Sequence, residues 1–294
     1  MADPVASKTI VVSALGYGDC LITLSLLEQS ARLGSSPHIL GTQVTAAVSG
    51  LLNQQLPVEV ALHDAAAFYT VKSNGLRAGV SDWLRLRRKL ADVSKPRDVI
   101  AFERNDIRTR SLLPCSRNGV YARYSGRVYA DRQAWVAKIT GTAPSWPALA
   151  RPNSGMRTLL INPSARATNR CIAAATISHL LEIAKEQGWT VTLLDPCERY
   201  GTFRDTVTGY HPRPTLDQSA ALLRATDLYI GPDSFFIHLA YYYDVPFFGF
   251  FFPHHHDFLI PGMEQAGNYL DFESARDRAQ LQSALLRFVS GETT

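Results

Sequence analysis

The chain has 294 residues, 46% of them hydrophobic, and its 30 basic and 26 acidic side chains leave a formal net charge of +4. That length carries two domains of ordinary size, and so small a basic excess favours anionic ligands only weakly, with no nucleic-acid partner expected. No apolar run is long and unbroken enough to span a membrane. Met1 to Lys8 reads as neither a secretory nor a transit peptide, so a cytoplasmic location is expected. Cys20, Cys115, Cys171 and Cys197 form no Cys-x-x-Cys pair, which argues for free thiols and against a zinc knuckle or disulfide framework.

Thr9 to Ser13 reads as a buried strand, Ala14 to Asp19 as a glycine-bearing turn, and Leu21 to Leu33 as a helix stopped by Gly34. Pro37 to Leu40 is a short strand, Val44 to Leu52 a helix, and Val58 to Ala61 a third strand. Ser81 to Leu90 is a basic amphipathic helix; its Arg85-Leu-Arg-Arg-Lys89 run suits a solvated face first, and contact with anionic lipid or a phosphorylated acceptor second. Arg97 to Phe102 and Gly119 to Ala122 are further strands. Prolines and a Ser-Gly pair make residues 142–155 a linker.

The alternation then restarts. Arg157 to Ile161 is a strand, Ala173 to Gln187 a helix ended by Gly188, and Thr190 to Leu194 a strand. Leu216 to Ala225 is a helix, Asp227 to Ile230 a strand, Val245 to Phe252 a last strand, and Ala275 to Val289 a closing helix. Strand–helix alternation written twice predicts an α/β protein of two parallel-sheet, Rossmann-like domains, residues 1–150 and 151–294, facing a central cleft. The last helix is a candidate to pack back on the first domain.

Ligands of such sheets bind outside the carboxyl ends of the strands, and four loops fall there. Gly16-Tyr17-Gly18-Asp19 offers backbone access and an acid that is either a helix N-cap or a general base. Asn162-Pro-Ser164-Ala-Arg166 to Arg170 has the guanidinium content of a phosphate loop, or of an ordinary surface loop. Asp195-Pro-Cys-Glu198 is placed for a ribose but is also ordinary turn chemistry. Gly231-Pro-Asp233-Ser234 joins a strand to a helix, where free N–H groups and the helix dipole suit a diphosphate, or where the two polar side chains simply cap. His238 lies one helical turn beyond Ser234. His254 to His256 are adjacent, so they cannot all reach one ion from a regular element; an irregular loop could use two of them with Asp257 on a metal, against substrate contacts or a plain loop. No P-loop and no Ser-His-Asp order is present.

These loops, in this order, resemble glycosyltransferase family 9, the heptosyltransferase-like enzymes of the GT-B fold. Leu15-Gly-Tyr-Gly-Asp19 to Leu27 resembles the family's opening Gly-Asp motif. Arg97-Asp-Val-Ile-Ala-Phe-Glu103 resembles its Asp-hydrophobic-Ile-Asp strand, and Leu160-Ile-Asn-Pro-Ser164 to Arg170 its Pro-Gly-Ala…Lys-Arg-Trp-Pro loop. Gly231-Pro-Asp233-Ser234 to His238-Leu-Ala240 resembles its Asp-Ser/Thr-Gly-x-x-His motif, and Phe248-Gly to Pro253 its Phe-Gly-Pro-Thr ending.

The resemblance implies inverting transfer of a heptose or related hexose from a nucleoside-diphosphate donor, ADP-heptose first, with Asp19 as general base. Donor contacts are implied for Gly18, Asn162, Ser164, Arg166 and Arg170, with Asp233, Ser234, Phe235 and His238 at the helix start. Sugar or acceptor contacts are implied for Tyr17, Arg104, His254 and His255. No metal and no cofactor enter the scheme. The acceptor would be a glycan, a lipid-linked glycan or a protein, with peripheral contact at the inner membrane face. The chain departs from the pattern at Phe235, where glycine is usual, at Asn169, Cys171 and Ile172 in the arginine loop, at Tyr210 and His211, and at Tyr241 to Tyr243. The alternatives are a non-catalytic relative that binds nucleotide sugars or glycans, and a sugar epimerase of the same architecture.

Overall fold

The computed structural model describes residues 8–61, 83–114, 117–153, 155–252 and 256–292. The chain divides into two compact units, Met1–Ser145 and Trp146–Thr294. Among the described residues, no helix is long and apolar enough to cross a membrane.

The first unit holds five parallel strands: β1 (Thr9–Val12), β2 (His38–Gly41), β3 (Val58–Val60), β4 (Val99–Phe102) and β5 (Asn118–Tyr121). Their order is β3-β2-β1-β4-β5, with Thr9 to Val12 paired in register to Val99 to Phe102. Helix α1 (Tyr17–Arg32) is buried at every residue from Cys20 to Glu28, as expected of a helix apolar on all sides. Helix α2 (Gln43–Ser49) starts on a Thr42–Thr45 capping box. Residues 83–93 form α3; Leu86 and Leu90 of that helix pack with Ile10, Val12, Ile100 and Phe102. Helices α4 (Ile107–Leu112) and α5 (Val128–Thr140) complete the unit.

The second unit repeats the design. Strands β6 (Thr158–Ile161), β7 (Thr190–Asp195), β8 (Gly209–Pro212), β9 (Leu228–Pro232), β10 (Phe247–Phe251) and β11 (Tyr269–Asp271) form a six-stranded parallel sheet in the order β11-β10-β9-β6-β7-β8. Helices α6 (Ala174–Glu186), α7 (Leu216–Arg224), α8 (Phe235–Tyr242), α9 (Met263–Ala266) and α10 (Arg278–Ser290) accompany it. Leu281, Leu285 and Phe288 of α10 join Ile177, Leu180 and Ile183 of α6 in this unit's core.

In both sheets the chain moves outward from a central strand, then returns to build on that strand's other side. The crossover points lie between β1 and β4, and between β6 and β9. Loops leaving neighbouring strands in opposite directions open a crevice at such a point.

Two differences from the sequence expectation bear on the site. Helix α1 begins at Tyr17 rather than Leu21, so Tyr17, Gly18 and Asp19 form a first helical turn instead of a free loop. Helices α4 and α5 and strands β8 and β11 were not expected; each is short or has its apolar stripe interrupted by polar residues.

Candidate functional site

In the first unit, chemistry gathers at the β1–β4 crossover. Gly16 is the N-cap of α1 and makes no side-chain cap. Asp19 therefore is not the cap: it sits in the first turn, where the helix dipole favours a carboxylate. Its Oδ1 lies 3.8 Å from Nη2 of Arg132, with Asp19 33% exposed and the arginine side chain 8%. Arg132 is on α5; its Nη1 donates to the backbone carbonyl of Glu103 at 2.6 Å, and its guanidinium stacks over Trp135 at 5.8 Å.

Glu103 directly follows β4 and is buried. Its carboxylate accepts from Ser13 Oγ at 3.1 Å and from the Ala14 N–H at 3.2 Å, clamping the loop that leads to Asp19. Burial pushes the Glu103 carboxyl above its ordinary range, Arg132 opposes that shift, and the Asp19 charge adds to it. Cys20 is buried beside them, and burial with the Glu103 charge lifts its thiol to about 12, which rules it out as a nucleophile near neutral pH.

In the second unit, chemistry gathers at the β6–β9 crossover. The Asn162 N–H donates to Ile230 O at 3.0 Å, and Asn162 Oδ1 accepts from the Ser164 N–H at 3.1 Å. These bonds fix the loop after β6 against β9. The loop ends in a short 3-10 turn, Thr168–Arg170. From there Arg170 Nη1 reaches Asp233 Oδ2 at 3.3 Å, with the arginine side chain 34% exposed and the aspartate 5%. On its other side, Asp233 Oδ1 is 4.0 Å from His238 Nε2.

Ser234 is the N-cap of α8 but makes no side-chain cap bond, so the capping reading of Asp233 and Ser234 does not describe this junction. Gly231 is sterically required: a Cβ there would meet the Tyr229 hydroxyl at 2.1 Å. Phe235 and Phe236 open α8, both half-buried, and their rings meet edge-on at 5.2 Å.

The remaining expected residues scatter. Tyr17 is exposed and Gly18 half-buried in the first turn of α1; Arg104 is exposed just after β4, and Arg166 is exposed in the loop after β6. His254 and His255 lie outside the described residues. Among the described residues, no cluster of three His, Cys, Asp or Glu side chains is placed to hold a metal.

Asp195 is structural. It is fully buried and accepts from the Arg199 N–H at 2.9 Å, the Tyr200 N–H at 2.8 Å and the Tyr210 hydroxyl at 2.8 Å, which leaves it unavailable to a ribose. The tyrosines at the end of α8 also have partners within the unit. Tyr241 donates to Pro147 O at 2.6 Å, and Tyr243 lies under Arg224 at 3.8 Å.

Arg132 and Glu103 were missed as site residues. The signal was in Val128-x3-Arg132-x2-Trp135-Val136-x2-Ile139: an arginine standing within a stripe of apolar residues at helical spacing.

The family model for glycosyltransferase family 9 (heptosyltransferase) matches residues 66–285. An E. coli heptosyltransferase WaaC with ADP-2-deoxy-2-fluoro heptose is 13% identical, with 96% of this chain and 99% of that chain covered and a TM-score of 0.66. A family 9 glycosyl transferase from Veillonella parvula DSM 2008 is also 13% identical, with 96% and 97% covered and a TM-score of 0.67. E. coli ADP-heptose lps heptosyltransferase II is 14% identical, with 97% and 99% covered and a TM-score of 0.60. No curated protein sequence matches the chain at a significant level.

Proposed function

Because the chain belongs to glycosyltransferase family 9 and shares the GT-B fold of the heptosyltransferases, we propose that it moves a sugar from a nucleoside diphosphate to a hydroxyl acceptor with inversion. One observation carries this reading. Each crossover holds a carboxylate paired with a guanidinium, and the two pairs have opposite members exposed. The first presents an acid to solvent and the second a cation.

Asp19, the exposed acid, takes the acceptor's hydroxyl proton. The acceptor oxygen forms a bond to the anomeric carbon on the face opposite the diphosphate. The bond from that carbon to the phosphate oxygen breaks, and its electron pair leaves with the diphosphate. Arg170 and the first N–H groups of α8 offset the charge that develops there. No metal is assigned a part, because the cation and the helix terminus supply the stabilisation a metal would otherwise give.

The sequence reading gave Asp233 a direct hold on the diphosphate. In the structure its carboxylate faces Arg170 and His238, and a bare carboxylate would repel phosphate. Its role is therefore to aim Arg170. Ser164, Arg166 and Ser234 are the remaining candidates for direct donor contact.

The E. coli heptosyltransferase with an ADP-heptose analogue makes ADP-heptose the first donor to try. The acceptor is a glycan, a lipid-linked glycan or a protein, with peripheral contact at the inner membrane face and Tyr17 and Arg104 as candidate contacts. Titration calorimetry with ADP-, GDP-, UDP- and dTDP-sugars tests the donor site. Binding of one of them, weakened by Arg170→Ala, supports it; binding of none overturns it. Binding without any release of nucleoside diphosphate would favour a non-catalytic relative.

A further inference from the structure

Arg132 is a buried cation with no part in the scheme above. Among the described side chains it is the one buried arginine, and burying a guanidinium is costly unless its charge and donors are met. Its partners are specific. One nitrogen donates to the carbonyl of Glu103, the ring of Trp135 lies beside it, and the other terminal nitrogen lies 3.8 Å from Asp19 Oδ1. Glu103 in turn holds Ser13 and Ala14, the residues leading into the first turn of α1. The end of β4, the start of α1 and the middle of α5 thus meet through one guanidinium.

We propose that Arg132 is a positioning residue for the transfer reaction: its buried charge, 3.8 Å from Asp19 Oδ1, draws the Asp19 carboxylate into the rotamer that meets the acceptor proton. This role rests on Asp19 acting as the base. An aspartate on an exposed first turn samples several rotamers, and proton transfer requires one of them. The buried fork, fixed by the Glu103 carbonyl and Trp135, selects that one. Asp19, Glu103 and Cys20 are the titratable groups that share its surroundings. A lysine would keep the charge but could not reach the Glu103 carbonyl and Asp19 together, because its single ammonium lacks the planar fork.

The test uses the full chain and reads nucleoside diphosphate released from the nucleotide sugar that calorimetry identifies as donor, ADP-heptose first, with thermal melting to verify folding. Arg132→Lys is expected to lower kcat by about tenfold while the donor KM stays within about twofold, since the lost interaction orients a reacting group and binds no donor. Arg132→Ala is expected to lose more, and added guanidinium at low millimolar concentration to restore part of the rate where methylammonium does not. A merely structural arginine would reduce the folded fraction and leave the kcat of the folded enzyme unchanged. If Arg132→Ala fails to fold, Arg132→Lys decides alone.

Wild-type kcat in the folded arginine variants, with Asp19→Asn inactive, overturns the positioning role and leaves the base assignment standing. Full activity in Asp19→Asn overturns the base assignment, and the positioning role falls with it. Absence of nucleoside diphosphate release by the wild-type protein from any nucleotide sugar that it binds overturns both.

Discussion

The two units hold the same two chemical groups at the same topological position and use them in opposite senses. At the β1–β4 crossover the guanidinium is buried and the carboxylate faces solvent. At the β6–β9 crossover the carboxylate is buried and the guanidinium faces solvent. Backbone supply explains the difference. Arg132 comes from the middle of a helix that packs against α1 and buries Val128, Trp135 and Val136, so it enters the interior with its stem. Arg170 comes from a short 3-10 turn at the edge of a loop, while Asp233 follows a strand that is buried along its whole length. In the proposed reaction the buried member of each pair orients the exposed one, and the exposed member meets a proton in the first unit and an anion in the second.

The sharpest way to break this comparison is to neutralise the exposed acid. Asp19→Asn is expected to lower turnover by about two to four orders of magnitude, with donor affinity unchanged by calorimetry. A parallel loss of donor binding would show that the two sites are not divided as described. Arg170→Ala should do the reverse and weaken donor binding by about ten- to a hundredfold, the value of one or two charge-assisted hydrogen bonds. Asp233→Asn should act in the same direction but less, by roughly three- to tenfold, because it frees a side chain that must be ordered again on binding. Tighter binding in Asp233→Asn would mean that the carboxylate opposes the anion more than it aims the arginine.

Much of the frame was legible because the central strands β1, β4, β6, β7, β9 and β10 are apolar runs bounded by turn residues. The loops at their ends were legible as polar and cationic content. The pairing of Arg170 with Asp233 was not, since the two are 63 residues apart and meet only through the sheet order. Strand β8, Gly-Tyr-His-Pro, carries a glycine and a proline that read as a turn; it forms as an edge strand, where proline is tolerated. Asp195 read either as a ribose contact by position or as ordinary turn chemistry, and the second describes it. The backbone turns back onto it through Arg199 and Tyr200, and residue type does not disclose that. Helix α5 was lost because Arg132 breaks its apolar stripe, so the residue that concealed the helix also orients the candidate base.

The smallest expected effect concerns the buried acid behind the exposed one. Burial raises the folded-state carboxyl of Glu103, against the opposing Arg132 charge. Below the unfolded-chain value of about 4.5 the group is protonated in both states, and its contribution to stability is whole. As pH rises above that value the unfolded chain loses its proton first, and stability falls until the folded carboxyl ionises too. One proton gives a slope of at most about 1.4 kcal/mol per pH unit. Glu103→Gln removes that slope, so the stability of the wild-type protein minus that of the variant should decline as pH rises through the window above 4.5, read from urea midpoints. Asp227 in the second unit supplies the opposite sign. The Arg157 N–H, then the Thr158 hydroxyl, hold its carboxyl below the usual range, so the wild-type advantage over Asp227→Asn should be full above about 3.8 and disappear as pH falls below it. A rising difference for Glu103→Gln would mean that Arg132 outweighs burial, and that the guanidinium is shared between two ionised acids instead of being aimed at Asp19.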